Sequence, residues 1–112
     1  MATSAQWHEA YEKMSEETLN FSRAIKSLQE ELEAVDWYHQ RAQATGDQQL
    51  RRLLEHNRDE EIEHAIMALE YLRRMNAVFD RNMRTYLFTR GDITEIEAEA
   101  ERINPESEGG PA

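Results

Sequence analysis

A long heptad repeat without glycine or proline constrains this chain more than any other feature of its sequence. If Tyr11 and Met14 take positions a and d, the repeat continues to Ala42, and eight of its ten positions are apolar. The ten positions are Tyr11, Met14, Thr18, Phe21, Ile25, Leu28, Leu32, Val35, His39 and Ala42. The pattern predicts one helix from about Ala5 to about Ala44, a rod of roughly 60 Å. Such a rod is too long for a self-contained globule of 112 residues.

The three residues after this helix predict a tight turn. In Thr45-Gly46-Asp47, the glycine suits the left-handed backbone that follows a helix end, and the aspartate suits the N-cap of the next helix. The second helix is predicted to begin near Gln48 and to end between Asn76 and Phe88. Because a three-residue connection makes neighbouring helices antiparallel, the sequence predicts an all-α fold built on a long helical hairpin.

Gly91 marks a further break, after which a short C-terminal helix is predicted. Asp92 or Thr94 can cap this helix, and Thr94 and Glu97 have the spacing of a capping box. Its apolar face would hold Ile93, Ile96, Ala100 and Ile103, and its glutamates are interpreted as a solvated face. The domain is predicted to cover residues 1–104, and residues 105–112 are predicted to be a disordered tail.

Composition excludes several classes of function. The net charge of −10 argues against nucleic acid and anionic membranes as partners, because both need a basic surface. The chain has no cysteine, so any metal must be held by oxygen and imidazole ligands. The N-terminal residues have no basic start and no apolar run, so we expect no signal peptide, no membrane span and a cytoplasmic location. Hydrophobic residues make up only 39%, which favours a core completed by a second copy.

The second helix carries two apolar rows about a quarter turn apart. The first row is Leu50, Leu54, Asn57, Glu61, His64, Ala68, Tyr71 and Met75. The second is Ile62, Ile66, Leu69 and Arg73, with Ala65 and Leu72 beside it. An apolar arc this wide needs two neighbours, and the hairpin supplies only one of them. The other is predicted to be another subunit.

Glu61 and His64 are the anomaly in the first row, because polar groups in a helix interface cost stability unless they are paired or bind a ligand. Their Glu-x-x-His spacing places a carboxylate and an imidazole on one face, where both can bind one metal ion. The spacing alone is weak: with four histidines and 23 acids in 112 residues, about 0.8 such pairs are expected by chance. Asp36 and His39 form another. The position of Glu61 and His64 inside the row carries the signal.

Glu31 is predicted to join this pair. It lies 15 residues before Gly46 and Glu61 lies 15 residues after it, so an antiparallel hairpin places the two at one level. A ferritin-like di-iron site takes one Glu from each of two helices and a Glu-x-x-His from each of two more. One chain supplies half of that set, and two copies related by a two-fold axis supply all of it. Tyr38, seven residues after Glu31, lies on the same edge.

Three segments of the chain are specific enough to compare with known families. They are Glu-Glu-Leu-Glu-Ala-Val-Asp-Trp-Tyr at 30–38, His-Asn-Arg-Asp-Glu-Glu-Ile-Glu-His-Ala at 56–65 and Arg-Thr-Tyr-Leu-Phe-Thr at 84–89. With these segments the chain resembles the encapsulated ferritins of bacteria. The resemblance runs from about Glu17 to Glu97. It implies a two-helix protomer that forms a four-helix ferroxidase on dimerisation, and dimers that assemble into a ring-shaped decamer inside an encapsulin shell. The ring would oxidise Fe(II) and deliver iron to the shell interior for storage.

The resemblance also assigns residues. It implies that Glu31, Glu61 and His64 are the iron ligands and that Tyr38 is the tyrosine beside them. Glu30 and Glu33, with Trp37 nearby, match an additional interface metal site proposed for iron uptake, at which calcium is a further candidate ion. Family members carry a C-terminal shell-docking peptide, whereas the sequence here runs out at Gly109-Gly110-Pro111-Ala112. Either the sequence is truncated or encapsulation works differently.

Simpler interpretations stand beside these. Glu61 and His64 can form a structural hydrogen-bonded pair, Tyr38 can be packing at the edge of the interface, and Glu30 and Glu33 can be solvated carboxylates. His39 is interpreted as a packing or partly exposed histidine. For the whole chain, the alternatives to a ferroxidase are a structural or adaptor coiled coil and an acidic protein that binds metal without turnover.

Overall fold

The protein is all-α, as the sequence predicted. The structure, a computed structural model, describes residues 7–103. Within these residues, a 3-10 turn over Tyr11–Lys13 is followed by four α-helices: α1 Glu16–Ala44, α2 Gln48–Met75, α3 Ala77–Tyr86 and α4 Ile93–Ile103. None of these helices combines the length and the hydropathy that a membrane-spanning segment requires. The predicted tail at residues 105–112 lies outside the described residues.

The chain divides into two compact units, one ending at Leu72 and the other beginning at Arg73. The first is the hairpin of α1 with most of α2. Its first helix begins at Glu16, so the prediction of a start near Ala5 is wrong. Ser15 caps the helix, because its hydroxyl accepts a hydrogen bond from the Thr18 backbone N–H at 3.1 Å, and acidic residues fill the first turn. Because of these local signals, the helix begins after the first two heptad positions, Tyr11 and Met14.

The turn of the hairpin differs from the prediction at one residue. Gly46 does not adopt a left-handed backbone. Thr45 ends α1 in an extended conformation with φ −84° and ψ 141°, and its hydroxyl accepts a hydrogen bond from the Asp47 N–H at 3.1 Å. The Asp47 carboxylate accepts from the Leu50 N–H at 3.1 Å, which confirms Asp47 as the cap of α2.

The contact between α1 and α2 is lined by small and medium apolar side chains. Its buried residues are Leu19, Ala42, Ala65 and Leu72. On α2, Ile62 and Ile66 lie to one side of the buried line, and Met67 and Tyr71 lie to the other. All four are exposed in the single chain, Ile66 by 59% and Met67 by 64%. The hairpin therefore has two separate apolar flanks.

The second unit begins at the end of α2. The helix ends at Met75, one residue before the predicted range, because Asn76 is extended, with φ −139° and ψ 121°. The Asn76 side chain accepts hydrogen bonds from the N–H groups of Val78 and Phe79 and so starts a new helix, α3, which the sequence did not predict. Asp80 on α3 pairs with Arg73 and Arg84.

The connection from α3 to α4 contains both left-handed residues of the described chain, Phe88 with φ 62° and Gly91 with φ 95°. Of the two candidate caps, the structure uses Asp92. Its carboxylate accepts hydrogen bonds from the backbone N–H groups of Thr94 and Glu95 at 2.9 and 3.1 Å. The hydrogen bond from the Thr94 hydroxyl, followed by the backbone N–H groups of Glu95 and Thr94, holds the pKa of Asp92 below its usual range.

Candidate metal centre

The middle of the hairpin brings three metal-ligating side chains together. Glu31 comes from α1, and Glu61 and His64 come from α2, and one ligand atom of each lies within 4.8 Å of the others. His64 Nδ1 is 3.4 Å from Glu31 Oε2 and 3.8 Å from Glu61 Oε2. The antiparallel hairpin creates this convergence, because residues equally far from the turn on its two arms lie opposite each other. Within residues 7–103 no other group of three such residues meets in this way.

The Glu31 carboxylate has an unsatisfied oxygen. Its side chain is 27% exposed, but Oε2 itself is shielded from solvent and accepts no hydrogen bond from the described residues. A buried carboxylate oxygen without a donor costs free energy, and native structures rarely tolerate one without a reason. A cation between Glu31, Glu61 and His64 would remove that cost.

The pKa of Glu61 also indicates that negative charge is concentrated in this cluster. The pKa of its carboxyl is raised, first by the side-chain hydrogen bond with Glu31, then by burial, and then by the charge of Glu31. His64 opposes this effect. This direction is the one expected when two carboxyl groups share one site. A divalent cation bound between them would oppose the effect, as it does for carboxylates that bind metal.

Tyr38 lies two turns from Glu31 on the same edge of α1 and is half-buried. The guanidinium carbon of Arg41 is 5.7 Å from the centre of its ring, within the range of a cation–π contact. Sequence reasoning overlooked Arg41, although its i,i+3 spacing from a tyrosine was a readable signal. Arg41 is therefore a neighbour of the Tyr38 ring on this edge of α1.

The structure does not bring the other candidate ligands of α1 into the cluster. Glu30 and Glu33 are exposed on a different face of the helix, and Trp37 is 50% exposed beside them. One chain thus presents two carboxylates and an indole at the surface. A third ligand for this group would have to come from outside the described residues of this chain.

The remaining histidines of the hairpin have other partners. His39 Nδ1 is 3.0 Å from Arg58 Nη1, and Asp36, its Asp-x-x-His neighbour, accepts a hydrogen bond from Gln40 instead. His56 pairs with Glu60 at 2.8 Å on an exposed part of α2. The Asp-x-x-His pair of Asp36 and His39 therefore forms no cluster of metal-ligating side chains, whereas the Glu-x-x-His pair in the apolar row does.

A groove of about 390 Å³ between α1 and α2 adjoins the cluster. It is lined by Asn20, Arg23, Ala24, Ser27, Met67, Ala68 and Tyr71. Ser27 is one turn before Glu31 and Ala68 is one turn after His64, so the groove continues the face that holds the three ligands. The metal-ligating face and the groove together form the flank of the hairpin opposite Ile62 and Ile66.

The donor set suits a hard or borderline divalent metal such as iron. Carboxylate oxygen and imidazole nitrogen ligands favour Fe, Mn and Zn, and carboxylates stabilise the ferric state. Three side chains leave coordination positions open for further ligands, for substrate oxygen or for residues of a second subunit. His64, whose side chain is 47% exposed, lies at the open side of the cluster.

Comparisons with known proteins identify the family to which the chain is similar. The profile of the EncFtn-like family matches residues 6–90. An encapsulated ferritin-like protein of Rhodospirillum rubrum is 59% identical over 91 residues, 81% of this chain and 65% of that protein. A ferritin-like protein of Thermotoga maritima is 54% identical over 94 residues, 84% of this chain and 82% of that protein. This chain therefore spans slightly less than two thirds of the Rhodospirillum protein and most of the Thermotoga protein.

The fold has a close counterpart among solved structures. A crystal structure of a protein from Nitrosomonas europaea superimposes with a TM-score of 0.75 at 50% identity, covering 78% of this chain and 96% of that one.

Proposed function

Because this chain belongs to the EncFtn-like family, a family of encapsulated ferritin-like proteins, we propose that it is a ferroxidase that oxidises Fe(II) to Fe(III). One observation carries the proposal: Glu31, Glu61 and His64 converge within 4.8 Å around a buried carboxylate oxygen that lacks a donor. Iron is the substrate in this proposal. The residues fit it, because a cation supplies the interaction that Glu31 lacks.

The complete site is proposed to form across a homodimer. One chain offers two carboxylates and one imidazole, and a two-fold axis through the open side of the cluster doubles them to four and two. That is the ligand set of ferritin-like di-iron proteins, in which a Glu from each of two helices joins a Glu-x-x-His from each of two more. Two hairpins then make one four-helix bundle.

Each residue of the site has a distinct proposed role. Glu31 and Glu61 balance the positive charge of the bound Fe(II) and stabilise the Fe(III) product. His64, in its neutral form, supplies a nitrogen ligand. Tyr38, with Arg41 beside it, closes the edge of the site with its ring and phenol. Oxygen or a peroxide accepts the electrons.

The route of iron before and after oxidation is also proposed. Glu30 and Glu33, with Trp37, attract Fe(II) or Ca²⁺ at the surface. The word "encapsulated" in the name of the Rhodospirillum relative supports an encapsulin shell as the partner that receives the oxidised iron. We propose that the protein works inside such a shell, as a ring of dimers.

Stopped-flow absorbance after aerobic addition of Fe(II) tests the catalytic proposal. The wild-type protein should form the Fe(III)–oxo absorbance faster than buffer alone, and Glu61→Ala and His64→Ala should fall to the buffer rate. Glu63→Ala removes the same charge from an exposed position of the same helix and should retain the wild-type rate. Glu30→Ala and Glu33→Ala should change the dependence of the rate on Fe(II) concentration without abolishing the reaction.

The same experiment separates the alternatives. A passive metal-binding protein would bind Fe(II) in equilibrium dialysis but oxidise it no faster than buffer. A structural coiled coil would do neither. Full activity in Glu61→Ala or His64→Ala would overturn the assignment of the site.

A further inference from the structure

Met67 is placed where an oxidant released by the metal centre would meet it. It follows His64 by one turn of α2, and the Cβ atoms of residues with this spacing are about 5–6 Å apart. Its side chain lines the groove that adjoins the ligand cluster. Met67 is the methionine nearest to a ligand residue in the described sequence; in the single chain it is 64% exposed, whereas Met14, Met75 and Met83 are half-buried.

The proposed reaction generates the relevant oxidant. Two Fe(II) ions each give one electron to O₂, and two protons complete one molecule of hydrogen peroxide. Methionine thioethers are among the side chains that peroxide oxidises, and exposure increases their susceptibility. A ferroxidase therefore exposes its own nearest accessible thioether to its product.

We propose that Met67 is an oxidative modification site that scavenges peroxide leaving the metal centre. The Sδ atom attacks one peroxide oxygen, an S–O bond forms and the O–O bond breaks. The sulfur loses two electrons and becomes a sulfoxide, and the second oxygen leaves as water after taking up the proton. This inference rests on the proposed ferroxidase function, which supplies the peroxide.

The groove gives the modification a consequence. Met67 shares the groove with Ala68 and Tyr71, which continue the face that carries the ligands. A sulfoxide is polar and accepts hydrogen bonds, so it changes an apolar wall of this face into a polar one, and methionine sulfoxide reductases can reverse the change. Met67 would thus protect the ligand His64 by reacting first.

Peptide mass spectrometry after repeated aerobic Fe(II) additions tests the proposal on the full chain, with catalase present to remove peroxide from bulk solution. We expect Met67 to gain one oxygen atom at least about tenfold more than Met75, the internal control on the same helix. In Glu61→Ala, which lacks a ligand, Met67 should be oxidised no more than Met75 under the same conditions.

Two variants test protection. Met67→Leu preserves volume and apolar character and should keep the initial oxidation rate, but oxidation at His64 or Tyr71 should appear in the first iron additions, whereas in the wild type it should appear only after Met67 has been oxidised. Met75→Leu should behave like the wild type.

The outcomes separate the inference from the function on which it rests. Rapid iron oxidation with unmodified Met67 would overturn the scavenging role and leave the ferroxidase proposal intact. Equal oxidation of Met67 in wild type and Glu61→Ala would also overturn it, because the oxidant would then come from bulk solution. If the wild-type protein fails to oxidise iron in the absorbance assay, the ferroxidase proposal fails, and the source of peroxide fails with it.

Discussion

Glu31 shows how far single residues of the site can be read from the sequence. The Glu-x-x-His pair was identifiable because two polar residues interrupt an apolar row, and Glu31 because it is as far from Gly46 as Glu61 is. The sequence could not show that Glu31 Oε2 is shielded and lacks a donor. That property depends on how neighbouring side chains cover one oxygen atom, which helix periodicity does not encode.

The unsatisfied oxygen leads to a prediction about stability without metal. In the presence of a chelator, Glu31→Gln should raise the free energy of unfolding by about 1 kcal/mol, because it removes a carboxylate that repels Glu61 and lacks a donor. Thermal or denaturant unfolding followed by circular dichroism measures the difference. Glu30→Gln, a change at an exposed neighbour, is the control and should have no measurable effect.

Added metal should reverse that order. The wild-type protein should gain stability with Fe(II) under anaerobic conditions or with Ca²⁺, because a metal ion that binds only the folded state stabilises that state. Glu31→Gln has lost a ligand for the metal and should gain much less. If Glu31→Gln is less stable than the wild type in the presence of a chelator, the Glu31 carboxylate does not destabilise the metal-free protein.

At the scale of helices, local caps determined the boundaries that the heptad pattern missed. The repeat extends to Tyr11, but the Ser15 cap starts α1 at Glu16. Asn76 interrupts a segment without glycine or proline, because its side chain satisfies two N–H groups of a new helix. Periodicity reports which face of a helix is apolar, whereas a capping side chain determines where the helix begins. An asparagine can lie inside a helix or cap a new one, so the sequence pattern did not predict the break at Asn76.

Ser15→Ala tests the start of α1. Loss of the hydrogen bond from the Thr18 N–H should lower the free energy of unfolding by about 1 kcal/mol. Ser22→Ala, in the interior of the same helix, should have no destabilising effect, because alanine is the better helix former there. Chemical denaturation of both variants gives the comparison, and equal effects would show that Ser15 does not cap the helix in solution.

Asp80 predicts a pH dependence of the second unit. Hydrogen bonds first with Arg84 and then with Arg73 hold its pKa below the usual 3.8. Because the folded pKa is the lower one, Asp80 stabilises the fold above about pH 4, and this contribution is lost as the pH falls through the folded pKa. Asp80→Asn should therefore lower the melting temperature at pH 7. The difference in melting temperature between this variant and the wild type should become smaller as the pH approaches 2. A constant difference across that range would exclude Asp80 as the titrating group.

For the whole molecule, the sequence predicted that one hairpin cannot cover its own apolar surface, and the structure divides that surface in two. Ile62, Ile66 and the half-buried Leu69 form an aliphatic stripe on one flank of α2. The ligand cluster and the groove lie on the other flank. The sequence-based prediction assigned both to one partner, because rows on a helical wheel do not show which flank the neighbouring helix leaves open. A copy that completes the metal site lies on the ligand side, so the stripe requires a second contact.

The two contacts should respond differently to metal. In the proposed dimer, a two-fold axis on the ligand side would bring four carboxylates together, and we expect their repulsion to oppose association until a divalent cation is bound. The aliphatic stripe carries no such charge, and its burial is favourable with or without metal. With both contacts available, each copy would have two neighbours, and we expect the assembly to grow beyond a dimer into a closed ring.

Native mass spectrometry of the wild type and Ile66→Glu, each with Ca²⁺ or anaerobic Fe(II) and with chelator, tests this pair of contacts. The wild type should form a large ring with metal and dimers with chelator. Ile66→Glu changes an exposed side chain, so the hairpin should still fold, and the charge blocks only the stripe. This variant should form dimers with metal, retain iron oxidation, and dissociate to 13.2 kDa monomers with chelator. If Ile66→Glu forms the same ring as the wild type, the stripe is not an interface; if chelator leaves the wild-type ring intact, repulsion between the carboxylates does not control assembly.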